Sequence, residues 1–181
     1  MVDLSQLVRK LYTLTIIKHG EKLLLGFKKR GFGQNKINGF GGKVESGESI
    51  ANAAVREVDE ESGLDVSRTI RKVGLLEFSF EGENTLMEVH VFLADGFAGQ
   101  PRESEEMRPE WHPISSLPYD RMWADDRLWY PLLLAGACFR GHFHFKGHDT
   151  VLEHTLREVP VQEISAPEPL CLPTDNLTQQ S

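Results

Sequence analysis

The chain is expected to fold as a single α+β sandwich, a mixed β-sheet with helices on both faces. Three observations predict it. Short apolar, partly β-branched runs recur in pairs around glycine-containing turns, and two segments between them carry helical periodicity. The 181 residues are enough for one substantial core and too few for a comfortable pair of domains. Hydrophobic residues make up 40% and charged residues 26%, an ordinary globular balance.

The first pair is 12–18 and 22–28, with His19-Gly20-Glu21 as a hairpin turn. Residues 29–42 (KRGFGQNKINGFGG) are glycine-rich and read as largely loop. Residues 51–62 read as a helix, opened by Ser49 as N-cap and closed by Gly63 just past its end. Ala51, Ala54, Val55 and Val58 give that helix an apolar stripe with which to meet a core. A second strand pair, 71–80 and 85–94, surrounds Glu81-Gly82-Glu83-Asn84, and 107–114 adds another strand. Residues 125–135 read as a second helix, acidic in its first turn and interrupted by Pro131. A last hairpin, 139–146 and 151–159, turns at Gly147-His148-Asp149. Residues 1–10 are expected as a loosely held extension, 11–159 as the domain, and 160–181, with four prolines, as a disordered tail.

Charge and composition narrow the partners. A net charge of −7 argues against coating duplex nucleic acid, which relies on neutralising many phosphates. Cys138 and Cys171 form neither a zinc spacing nor a disulfide framework, which points to a reducing compartment. No apolar run approaches the ~18–20 residues that span a bilayer. The start, MVDLSQLVRK, lacks a secretory apolar core and the arginine richness of a mitochondrial presequence. The cytoplasm is the expected location, with nuclear or mitochondrial pools left open. No membrane or nucleic-acid partner is expected, and no helix pattern suggests a coiled coil.

The chemistry concentrates in 42–64, GKVESGESIANAAVREVDEESGL. On the helix, Glu57, Glu60 and Glu61 lie at i, i+3 and i+4 and share one face. Glu48, in the preceding loop, brings a further carboxylate towards it. Carboxylates gathered on one spot repel each other unless a hard cation lies between them, and oxygen ligands suit magnesium or manganese. Arg56 can brace the cluster as a fixed planar cation, a structural role. Taken alone, an acidic helix run is ordinarily solvated surface. The full spacing Gly-x5-Glu-x7-Arg-Glu-Val-x-Glu-Glu-x-Gly-Leu decides otherwise, because it resembles at every position the signature of the Nudix hydrolases, which cleave nucleoside diphosphates linked to another group.

The resemblance implies the Nudix α/β/α sandwich, in agreement with the element reading, and a monomer. Blocks outside the signature narrow it to the branch of vertebrate MutT homologues, which hydrolyse oxidised purine nucleoside triphosphates. They are LYTL at 11–14, KKRGFG at 28–33, NGFGGKV at 38–44, LMEVHVF at 86–92, ESEEMRP at 103–109, MWADD at 122–126 and HDTVLEHTLREV at 148–159. This implies Mg2+-dependent conversion of 8-oxo-dGTP or 2-hydroxy-dATP to monophosphate and pyrophosphate, with Mn2+ as the alternative ion. It implies Glu57, Glu60 and Glu61 as metal ligands and catalytic acids, with Gly41 at the metal and Gly42 and Lys43 facing the phosphates. Glu106 is implied as an extra metal contact or as the general base. The base pocket is implied to hold Asn38, Trp123, Asp125 and Asp126, lined by Thr13, Lys28, Phe32, Phe78 and Phe80. Two adjacent carboxyls in a partly desolvated pocket cannot both ionise easily, so the aspartates are expected to share a proton. Ile37 departs from the tryptophan expected in mammalian members and could reshape the loop carrying Asn38.

Three other readings stand beside this one. A dinucleotide or nucleotide-sugar substrate such as ADP-ribose keeps the chemistry but not the pocket. A non-catalytic nucleotide sensor ought to have lost acids that are all present here. An RNA-decapping enzyme asks for a basic channel, which Lys28-Lys29-Arg30 and Arg9-Lys10 are too few to form.

Overall fold

The computed structural model describes residues 3–165. In chain order the elements are β1 (Val8–His19), β2 (Lys22–Lys28), β3 (Ile37–Asn38), α1 (Ile50–Ser62), β4 (Ile70–Phe80), β5 (Thr85–Ala94), β6 (Met107–Pro113), α2 (Asp126–Leu134), β7 (Cys138–Lys146), β8 (Thr150–Val159) and α3 (Val161–Ile164). Among the described residues the strands form one eight-stranded sheet in the order β3-β2-β1-β5-β4-β7-β8, with β6 on β2. The sheet is mixed, because β1 runs parallel to β5 and β4 parallel to β7 while the hairpin pairs are antiparallel.

Alternation along the strands divides the interior in two. Ile16, Leu23, Leu25 and Leu93 enter a core with Trp129, Tyr130 and Leu133 of α2. Their neighbours Ile17, Leu24 and Ala94 enter a second core with Val58 of α1, on the opposite face. Strands buried on both faces therefore read as continuous apolar runs, and the helices enclose the sheet as expected. No helix among the described residues is long and apolar enough to cross a membrane.

One stretch adds detail to the sequence expectation and two differ from it. The 29–42 segment is largely loop as expected, but its short β3 pairs with β2, and Phe40 and the following Lys43 bridge β1 at Thr15 and Tyr12. Residues 8–10 are not loose, since they extend β1 along Thr85, Leu86 and Met87 of β5; the ladder satisfies their backbone groups although Val8 is exposed. After Pro160 comes the single turn of α3, whose Ile164 is buried and which packs on β4 and β7. One apolar residue in a proline-rich stretch has no periodicity to betray it. The remainder of the expected tail, with Cys171, lies outside the described residues.

Candidate active site

The site is assembled by a divergence in the sheet. β2 pairs with β1 only from Ile17↔Leu24 to His19↔Lys22. Residues 40–44 occupy the vacated edge of β1: Thr15 N donates to Phe40 O at 2.6 Å, Thr13 N to Gly42 O at 2.9 Å and Val44 N to Leu11 O at 3.0 Å. This run passes so close that a Cβ on Gly41 would fall onto the Thr13 carbonyl, and one on Gly42 would lie 2.5 Å from Glu57 Oε1. Gly41 needs glycine because it meets backbone, whereas at Gly42 a side chain would displace the Glu57 carboxylate.

α1 sets the acids against this edge. The Ser49 side chain accepts from Asn52 N at 3.1 Å, and Gly63 ends the helix with φ 74°. Burial then grades the carboxylates. The Glu61 side chain is 5% exposed, Glu57 15% and Glu60 57%. Glu61 Oε2 accepts from Gly41 N at 2.9 Å, and its Oε1 lies 3.2 Å from Lys28 Nζ. Lys28 also reaches Glu106 Oε2 at 3.1 Å, so one ammonium links α1 to the segment before β6. Alternation explains its reach: Leu24, Gly26 and Lys28 face α1, whereas Leu23 and Leu25 face the other core. Arg56 braces the remainder. It donates to Glu48 through Nε at 2.8 Å and Nη2 at 3.0 Å, to Glu57 Oε1 at 3.0 Å, to Glu60 Oε2 at 3.4 Å and to Lys43 O at 3.1 Å.

Burial pushes the Glu61 carboxyl up to about 7, against the pull of Lys28 and the Gly41 amide. Burial also raises Glu57, in part offset by Arg56. Burial works against the Lys28 charge as well, but the two carboxylates it faces outweigh that and raise it. The bond from Lys28 holds Glu106 below the usual carboxylate range, and the bonds from Arg56 do the same for Glu48. Among the described residues no three acidic, histidine or cysteine side chains converge closely enough to hold a metal ion as they stand, since Arg56 and Lys28 engage them separately. The donor set nevertheless fits a hard divalent cation. It is all oxygen, and Glu57 is repelled by Glu60 and Glu106 while Glu61 is repelled by Glu57.

A cleft of about 480 Å³ runs from this edge into the main core. Thr13, Lys28, Phe32, Asn38, Gly41, Gly42, Lys43, Phe78, Phe80, Glu106, Trp123, Asp125 and Asp126 all line it. Glu57, Glu60, Glu61 and Arg56 lie beyond the lining, where α1 meets the loop. Phe78 and Phe80 combine core and cleft, Phe78 stacking on Phe143 at 5.7 Å and Phe80 on Phe145 at 5.7 Å. Asn38 Oδ1 accepts from Gly39 N at 2.9 Å. Its neighbour Ile37 is fully buried in the main core and stays out of the lining.

At the closed end Asp125 Oδ2 accepts from Trp129 Nε1 at 2.9 Å, and Asp126 Oδ2 accepts from Trp123 N at 3.0 Å. Asp125 Oδ1 is buried without a hydrogen-bond partner among the described residues, as is Thr13 Oγ1. Burial raises both aspartates above the ordinary range, and for Asp126 the charge of Asp125 adds to it. The sequence reading missed Tyr12 and Met87 in the lining, and Lys36, His148 and Asp149 above it. The first two were legible only as strand residues, the others only as turn or loop.

The chain is 54% identical over 150 residues to the oxidized purine nucleoside triphosphate hydrolase of Danio rerio, covering 83% of this chain and 96% of that one. It is 51% identical to the protein of that name from Mus musculus, with the same coverage. In three dimensions it is similar to the MutT protein of Bacillus halodurans, with a TM-score of 0.73 and 26% identity over 81% of this chain and 97% of that one. The NUDIX domain family matches residues 11–133, and the chain belongs to that family of hydrolases.

Proposed function

We propose that this protein hydrolyses oxidised purine nucleoside triphosphates, 8-oxo-dGTP and 2-hydroxy-dATP, to the monophosphate and pyrophosphate, and so cleanses the nucleotide pool. One observation carries the reading. An aromatic cleft ends on two buried aspartates, one with an unpartnered oxygen, and opens onto a glycine edge backed by carboxylates. The names of the zebrafish and mouse relatives support it.

Burial keeps at least one of Asp125 and Asp126 protonated, and a carboxylic acid donates where a carboxylate accepts. The pair can therefore answer either pattern of donors and acceptors on a purine edge, while Asn38 contacts the base from the loop side. Gly41 and Gly42 let the phosphates approach the backbone, with Lys43 beside them. Glu57, Glu60 and Glu61, with Glu106, would hold a divalent cation, Mg2+ or alternatively Mn2+. When bound it neutralises charge on the phosphates and lowers the pKa of water. Arg56 orients Glu57 and anchors the Lys43 carbonyl. Glu106, kept ionised by Lys28, would contact the metal or accept the proton of an attacking water. The same reading takes the protein as a cytoplasmic monomer.

The test is steady-state hydrolysis with Mg2+ of 8-oxo-dGTP, 2-hydroxy-dATP, dGTP and ADP-ribose, with Glu61→Gln as control. Preference for the oxidised triphosphates, pyrophosphate as product, and a loss of about a hundredfold or more in the control are expected. Preference for ADP-ribose would overturn the pocket assignment.

A further inference from the structure

Four rings close the mouth of the cleft's aromatic end. Phe32 stacks on Trp123 with centroids 5.1 Å apart and planes 23° from parallel, and it meets Phe80 edge-on at 5.8 Å. The fourth ring is His148, 5.0 Å from Phe32, 5.4 Å from Trp123 and 6.1 Å from Phe80. His148 sits in the β7–β8 turn. Its neighbour Asp149 accepts from Lys36 Nζ at 2.6 Å, and that ammonium lies 5.1 Å from the centre of a Trp123 ring. Lys36 closes the loop that carries Phe32. Turn and loop thus meet twice over Trp123, once through rings and once through charges.

These contacts are built differently from the core beneath them. Trp123 is 8% exposed, whereas Phe32 is 51% exposed. Gly31 and Gly33 flank Phe32 with φ of +80° and +78°, a left-handed conformation that glycine adopts freely. Lys36 and Asp149 form a pair whose acid is 82% exposed, and such pairs contribute little to stability. A flat base stacking on Trp123 competes with Phe32 for ring surface, so any substituent at the mouth must move Phe32 against His148.

We propose that the β7–β8 turn and the 29–36 loop form a clasp over the base pocket, in which His148 and Asp149 set the largest purine substituent admitted. Neither residue lines the cleft; they act through Phe32 and Trp123 as positioning residues for specificity. The inference rests on the purine pocket proposed above.

The test compares kcat and KM for 8-oxo-dGTP and for an N6-benzyl deoxyadenosine triphosphate in the full chain, His148→Ala, Asp149→Asn and the double variant. Both sites are exposed turn positions, so folding should be retained. The ratio of kcat/KM, bulky over 8-oxo, should rise about fivefold in the double variant, chiefly through KM. An unchanged ratio, or parallel loss on both substrates, overturns the clasp. Acrylamide quenching of tryptophan fluorescence in a Trp111→Phe background gives a readout independent of turnover. Quenching should increase in the double variant, and unchanged quenching overturns the proposal. If the unaltered chain ignores 8-oxo-dGTP, the purine reading fails and the quenching result alone decides the clasp.

Discussion

Burial decides the chemistry of Asp125 and Asp126. Each is 2% exposed, and each gives one oxygen to an indole or backbone N–H. Desolvation holds Asp125 up to about 6 and Asp126 well above the ordinary range. A carboxyl whose pKa is raised on folding binds more protons folded than unfolded, so its contribution falls as pH rises from about 4 through the raised value. Asp126→Asn removes that penalty while keeping an acceptor for Trp123 N. Its unfolding free energy relative to the unaltered chain should therefore climb between pH 4 and pH 7, in chemical denaturation at each pH. A difference flat in pH would mean that the aspartate is not held protonated. The sequence supplied the adjacency of the two acids but not their burial, which comes from α2 closing on the main core through Trp129 and Tyr130. His148 was invisible for the same reason. A histidine in a hairpin turn carries no local sign that the turn lies over Trp123.

At the level of elements, α1 and the loop before it were read with different success. The Ser49 cap, the Gly63 stop and the apolar stripe are local signals, and the helix runs at Ile50–Ser62 within one residue of its expected start. The loop is a long-range structure. Nothing within 29–42 says that β2 leaves β1 after three residue pairs and that Phe40–Lys43 takes its place. The glycines of that stretch were legible as glycines, while their reason lies in Thr13 and Glu57. Gly42→Ala isolates that reason, because the added carbon would meet the Glu57 carboxylate at 2.5 Å. The Glu57 carboxylate must turn aside and give up its bond from Arg56. A fall in kcat should therefore come with only a small loss of stability in thermal unfolding. Full activity in a chain of unchanged stability would show that the close approach is not needed.

Across the whole molecule, parallel pairing joins pieces that local patterns leave separate. β1 on β5 and β4 on β7 bring the first hairpin, the second strand pair and the last hairpin into one sheet, which sets Phe78 and Phe80 beside Phe143 and Phe145 under the cleft. Fold class was readable because each strand pair announces itself, but the order of the pairs depends on contacts between distant residues. The end of the domain shows the same limit. Pro160 reads as the start of a tail, yet α3 folds back on β4 and β7, buries Ile164 to 2% exposure, and joins Glu163 to Arg157 at 2.8 Å. Burying one isoleucine contributes about 1.5–3 kcal/mol, and the exposed ion pair adds little. Two truncations separate this turn from all that follows it. A chain ending at Val159 should melt roughly 4–10 °C below one ending at Ser165. The β4–β7 sheet beneath α3 also carries Phe78 and Phe143, so the shorter chain should lose base discrimination along with stability. Equal melting temperatures would place the boundary of the folding unit at Val159 after all, and would make α3 an ornament on a finished sheet.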